Sequence, residues 1–156
     1  MIPHYKEMTA DCLFCRIVAG THDAAIVFRD DHSLAFLDHR PLFPGHCLLM
    51  PRNHVETLAE LPAEEISPLF GTAQRISHAM EEALGAEGSF VAINNRVSQS
   101  VPHLHIHVVP RKRKDGLRGF FWPRGKYASA EEMEEIRLKV ERAVAGVYPH
   151  RGLPAL

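Results

Sequence analysis

His103, His105 and His107 alternate with Leu104, Ile106 and Val108. In an extended chain, residues i, i+2 and i+4 share one face at roughly 6.5–7 Å per step. Three imidazoles would then line one side while the aliphatic residues enter a core on the other. Imidazole ionises near neutral pH, ligates metals and attacks phosphorus. Three readings fit this spacing: a surface strand with incidental histidines, a mononuclear metal site completed by a further ligand, or nucleophilic attack at phosphorus. In the last, one ring attacks while its neighbours position it and hold phosphate oxygens. The loop ahead of the histidines carries Asn94, Asn95, Ser98, Gln99 and Ser100. These neutral hydrogen-bonding groups suit a phosphate or its transition state. The other chemical spacing is Cys12-x2-Cys15, which fits metal chelation, a redox pair or two unrelated buried thiols. A thioredoxin-like motif would open a helix inside a βαβ pattern, and no strand precedes this pair. Cys47 lies mid-strand and reads as a core residue.

These residues need elements to hold them. Cys12–Ala19 has Leu13, Phe14 and Ile17 near helical spacing and stops at Gly20, which predicts a short helix. Ala24–Arg29 and Leu34–Asp38 flank a polar turn and predict a hairpin. His46–Met50 predicts a third strand, Ser89–Asn94 a fourth, and Val101–Pro110 a fifth that carries the histidines. Ala63–Leu84 repeats apolar residues at three and four positions, predicting a long helix that Pro68 bends or restarts. Ser129–Ala145 predicts a last helix, capped by Ser129 with Glu132 three residues on. A strand meander, a helix, two strands and a helix favour an α+β domain with an antiparallel sheet of about five strands and two main helices.

Composition narrows the classes. The 156 residues are 46% hydrophobic and 24% charged, with a formal net charge of −1. That predicts one folded domain over 1–156 and excludes a disordered or collagen-like chain. A neutral balance gives no field for nucleic acid or anionic lipid, and Arg111–Lys114 reads as a solvated basic loop. The apolar runs, such as Ala24–Phe28, fall far short of the ~20 residues a spanning helix needs. The N-terminus has no basic segment leading into an apolar one. With three cysteines and no disulfide framework, the expected compartment is the cytoplasm.

The run His103–Val109 resembles the signature of the histidine triad family, His-x-His-x-His followed by apolar residues. Phe14-Cys15-Arg16-Ile17, Ala35-Phe36-Leu37-Asp38, Pro44-Gly45-His46 and Gln99-Ser100-Val101 are similar to further family segments. The resemblance covers the motif-bearing part, 12–110, and leaves a C-terminal loop and helix at 111–156. It implies a triad fold whose sheets join across a homodimer, and chemistry at the α-phosphate of a purine nucleotide. His105 would form a nucleotidyl-imidazole intermediate, and hydrolysis would release a nucleoside monophosphate. His107 would contact phosphate, and its backbone carbonyl would orient the His105 ring. Ser100, Gln99 and Asn94 or Asn95 would sit on the phosphate side. Asp38 would receive the ribose hydroxyls, and Phe14, Ile17 and Phe36 would wall the base. Trp122 would reach the partner subunit's site. The leaving group would be an amine, as in a phosphoramidase, a second nucleotide, as in a dinucleoside polyphosphate hydrolase, or sulfate. In the zinc-bearing branch Cys12, Cys15, His54 and His103 would hold a structural zinc.

The sequence departs from the family's common form. The stretch from Asn94 to the triad is shorter, paired glycines before Gln99 are absent, and Pro102 precedes the first histidine. The insertion Arg111–Gly119 lengthens the path to Trp122. Two rival functions stand beside hydrolysis: a catalytic metal on all three triad histidines, and a nucleotide-binding interaction module with incidental turnover.

Overall fold

Short apolar runs build a five-stranded antiparallel sheet. Its strands are β1 (Ile26–Arg29), β2 (Ser33–Leu37), β3 (Cys47–Pro51), β4 (Gly88–Ile93) and β5 (Ile106–Arg111), in the order β1-β2-β3-β5-β4. The computed structural model describes residues 10–117 and 125–147, in two compact units that divide between Gly116 and Leu117. The sheet lies in the first unit with helices α1 (Leu13–Val18) and α2 (Ala63–Leu84).

Both sheet faces are covered, so β2 and β3 read as continuous apolar runs. On one face Ala35, Cys47, Leu49, Ile106 and Val108 pack with Leu69, Ala73, Ile76 and Met80 of α2. On the other, Leu34, Phe36, Leu48 and Met50 pack with Phe14, Cys15 and Ile17 of α1. Register matches this division: Leu48 pairs with His107 and Leu49 with Ile106. α2 continues through Pro68, whose missing N–H removes one helical hydrogen bond near the start. Gly85 closes α2 at φ 61°, a left-handed conformation that suits glycine.

The histidine strand is shorter than expected. Pairing begins at Ile106, and His103-Leu104-His105 precedes it without a ladder partner, with a bend at His103. The Leu104 N–H instead donates to the Val55 carbonyl at 2.7 Å. This draws the segment off the sheet toward the turn that carries His54. Leu104, Ile106 and Val108 are nonetheless wholly buried, so the predicted alternation survives where the ladder does not.

The second unit holds α3 (Ala130–Val147). Ser129 Oγ accepts the Glu132 N–H at 3.2 Å, and the Glu132 carboxylate accepts the Ala128 N–H. This is the capping arrangement the Ser129/Glu132 spacing predicts, with the return bond shifted by one residue.

Candidate active site

The triad histidines divide between two sites. His103 turns Nδ1 toward Cys12 Sγ at 3.6 Å and Cys15 Sγ at 3.7 Å, and its Nε2–H donates to the Pro51 carbonyl at 2.8 Å. His54 Nδ1 lies 3.3 Å from Cys15 Sγ. All four side chains are buried, and their ligand atoms lie within 4.8 Å of one another. A tetrahedral zinc with bonds of about 2.3 Å to sulfur and 2.05 Å to nitrogen sets each S···N edge near ~3.6 Å. The observed separations of 3.3 to 3.7 Å fit that geometry. The Pro51 carbonyl fixes the His103 tautomer so that Nδ1 presents its lone pair. With both its nitrogens engaged here, His103 does not join His105 and His107 around a single point.

His105 and His107 face a cavity of about 780 Å³ on the α1 side of the sheet. Their ring centroids are 5.0 Å apart. The His105 Nδ1–H donates to the His103 carbonyl at 2.8 Å, which leaves Nε2 with its lone pair. Burial lowers the His105 pKa, so at neutral pH the ring is uncharged and nucleophilic. His107 is pushed down to about 4, first by burial and then by His105 and His46 beside it.

The cavity walls hold most of the predicted substrate residues. Phe14 and Phe36 meet edge to face at 5.4 Å, and Phe14 also packs edge-on against His105 at 5.1 Å. Ile17, Asp38 and Ser100 line the same cavity. Asp38 follows β2, and its Oδ1 accepts the Arg40 N–H at 2.8 Å. Asn94 stands exposed at the end of β4. Asn95 is committed elsewhere, with Oδ1 accepting the Leu58 N–H at 2.8 Å. Gln99 is not among the cavity-lining residues. Its amide joins the Glu56 carbonyl and the Arg96 N–H, both at 2.7 Å, and staples the loop against the segment after His54. Trp122 lies outside the described residues.

The sequence reading gives His46 no role, although Pro44-Gly45-His46 is among the segments that carry the family resemblance. His46, in Pro44-Gly45-His46 just ahead of β3, places Nε2 3.0 Å from His107 Nδ1. The signal was strand parity: His46 shares a face with Leu48, and Leu48 pairs with His107. Reading it requires knowing that β3 and β5 are neighbours, which sequence order conceals.

Comparison with known proteins follows the same lines. Residues 19–114 match the profile of the HIT domain. The chain is 36% identical over 109 residues to the adenylylsulfatase HINT3 of Arabidopsis thaliana, covering 69% of this chain and 55% of that protein. The chain therefore spans just over half the length of that relative. The crystal structure of a HIT family member from Bacillus subtilis superposes with a TM-score of 0.76 at 31% identity, covering 85% of this chain and 96% of the other. A zinc-bound histidine triad family protein from Mycobacterium smegmatis superposes with a TM-score of 0.66 at 34% identity, covering 87% and 97%.

Proposed function

The chain belongs to the histidine triad family, and on that premise we propose that it hydrolyses purine nucleotides at the α-phosphorus through a nucleotidyl-His105 intermediate. His105 Nε2 attacks phosphorus, and the P–N bond forms as the bond to the leaving group breaks. The leaving group departs with the electron pair and takes a proton from solvent. Water then attacks the same phosphorus, gives up a proton to solvent, and the P–N electron pair returns to Nε2. The products are a nucleoside monophosphate and free imidazole. Splitting one displacement into two is what a neutral imidazole offers at phosphorus.

The observation that carries this reading is the His105 Nδ1–H donated to the His103 carbonyl, because it commits the opposite nitrogen to attack. In this reading the carbonyl that orients His105 is that of His103, where the family resemblance suggested that of His107. Phe14, Ile17 and Phe36 wall the base, and Asp38 receives the ribose hydroxyls. Ser100 and Asn94 contact phosphate. Gln99 holds their loop in place. The leaving group is an amine, a second nucleotide or sulfate, and likeness to an adenylylsulfatase supports an adenylyl substrate. Zinc held by Cys12, Cys15, His54 and His103 supplies a closed four-ligand clamp rather than a reacting centre. The protein works as a homodimer with joined sheets.

The test is chromatographic. Wild-type protein and His105→Ala are each given adenosine phosphoramidate, adenylyl-lysine, diadenosine tetraphosphate and adenylyl sulfate, and release of adenosine monophosphate is followed. We expect the wild type to turn over at least one class and the variant none of them. Equal release by both proteins excludes His105 as the nucleophile.

A further inference from the structure

We infer that Asp23 determines specificity by reading the outer edge of the bound base, so that guanine is preferred over adenine. This assignment rests on the proposed hydrolysis, which puts phosphate at His105 and His107 and the base at the other end of the cavity.

One rung of the sheet sets the direction of the cavity. His107 pairs with Leu48, Leu48 with Phe36, and Phe36 with Ile26. Neighbouring strands lie roughly 4.8 Å apart, so the rung runs about 14 Å from the triad to β1. His107, Leu48 and Phe36 line the cavity, and so do the four residues ahead of Ile26, His22 to Ala25. A nucleotide with its phosphate at the triad therefore extends its base toward that segment. The segment is held at both ends. The Thr21 and His22 N–H groups donate to the Arg16 carbonyl at 2.9 and 3.2 Å, and the Leu37 N–H donates to the Ala25 carbonyl at 3.0 Å.

The apolar walls cannot tell one purine from another. Phe14, Ile17 and Phe36 offer ring and alkyl surfaces, on which adenine and guanine stack alike. Discrimination needs polar groups, and in the segment ahead of β1 these are the side chains of His22 and Asp23. A carboxylate only accepts hydrogen bonds. Guanine presents its ring N1–H and its exocyclic amine side by side on the outer edge, two donors that one carboxylate takes together. Adenine presents its amine beside an N1 lone pair, which repels a carboxylate. Hypoxanthine keeps the N1–H and lacks the second donor. No group among the described residues bonds the Asp23 carboxylate, so both oxygens are open to a ligand. His22 stands next to it with an exposed ring, whose N–H can donate to guanine O6, the third group on the same edge. Both residues are exposed, so the preference is one of degree, and adenylyl nucleotides still stack between the same walls.

Calorimetric titration of the full chain with guanosine, inosine and adenosine monophosphate reads the base without any turnover. We expect the guanosine ligand to bind about tenfold tighter than the adenosine one, with inosine between them. Asp23→Ala should bring guanosine and adenosine to within about twofold of each other. Taking the ratio cancels the general gain that any anionic nucleotide draws from loss of a carboxylate. Asp23→Asn, whose amide both donates and accepts, matches the N1 and amine of adenine and should reverse the order. A merely structural role would shift all three ligands together. The same wild-type order is expected in kcat/KM for the three nucleoside phosphoramidates. A wild type that binds adenosine monophosphate as tightly as guanosine monophosphate, or binds none of the three, overturns the inference whether or not any variant folds. So does a guanosine preference that survives Asp23→Ala. Base-ranked binding with no turnover on any nucleotide would sink the hydrolase reading and leave Asp23 as the base reader.

Discussion

At the scale of residues, the site depends on imidazoles kept neutral. His107 is held down to about 4 by burial and by its histidine neighbours, against an ordinary value of 6.5, and burial lowers His46 and His105 in the same direction. Between about pH 6.5 and pH 4 the unfolded chain takes up protons that the folded chain refuses, so stability falls as pH falls through that window. Below about pH 4 both states are protonated at His107 and its contribution is fully lost. The urea midpoint should thus be lower at pH 5 than at pH 7, and His107→Gln should shrink the difference. Equal midpoints at the two pH values would show that these rings are not buried as neutral groups. His105, His107, Phe14, Phe36 and Asp38 were legible in sequence because motif and alternation mark them. The contact between His46 and His107 was not, because it joins residues 61 positions apart across a strand pair.

At the scale of elements, the six-residue helix α1 carries more than its length suggests. It supplies Phe14 and Ile17 to the cavity from one side and Cys15 to the Cys12/Cys15/His54/His103 cluster from the other, with Cys12 at its N-cap. A helix this short is marginal by itself, so a four-ligand clamp is a natural anchor for it. Zinc should be found at close to one per chain, and Cys15→Ser should lose it. A loss of a few kcal/mol in a domain of this size lowers Tm by roughly 5–10 °C. Unchanged zinc content and Tm in Cys15→Ser would contradict the clamp. The five strands and the long helix follow from periodicity and were readable to within a few residues. The fifth strand is the exception. Alternation at His103–His105 looks like a strand, but the Leu104 N–H bonds the Val55 carbonyl and the His103 ring bonds the Pro51 carbonyl, so contacts outside the ladder replace pairing there. Gln99 shows the same limit. Its motif position marks it for substrate, while its amide fastens two loops.

At the scale of the whole molecule, the sheet offers two edges, β1 and β4. A homodimer with joined sheets uses one of them, and light scattering should give twice the monomer mass in dilute solution; a monomer would exclude Trp122 from any role in a partner's cavity. Two of the four basic residues at Arg111–Lys114 have acidic neighbours. Arg111 meets the Asp115 carboxylate at 2.6 and 3.0 Å, and Arg113 lies 3.9 Å from Glu87. No helix among the described residues is long and apolar enough to cross a membrane. The proposed function turns on a covalent event, a bond from His105 Nε2 to phosphorus. The most direct measurement is mass spectrometry of protein mixed with excess substrate and quenched in alkali, which spares a phosphorus–nitrogen bond. One nucleotidyl group on His105, chased away by further incubation and absent from His105→Ala, is the predicted result. Product formed with no adduct, or an adduct on another residue, would contradict it.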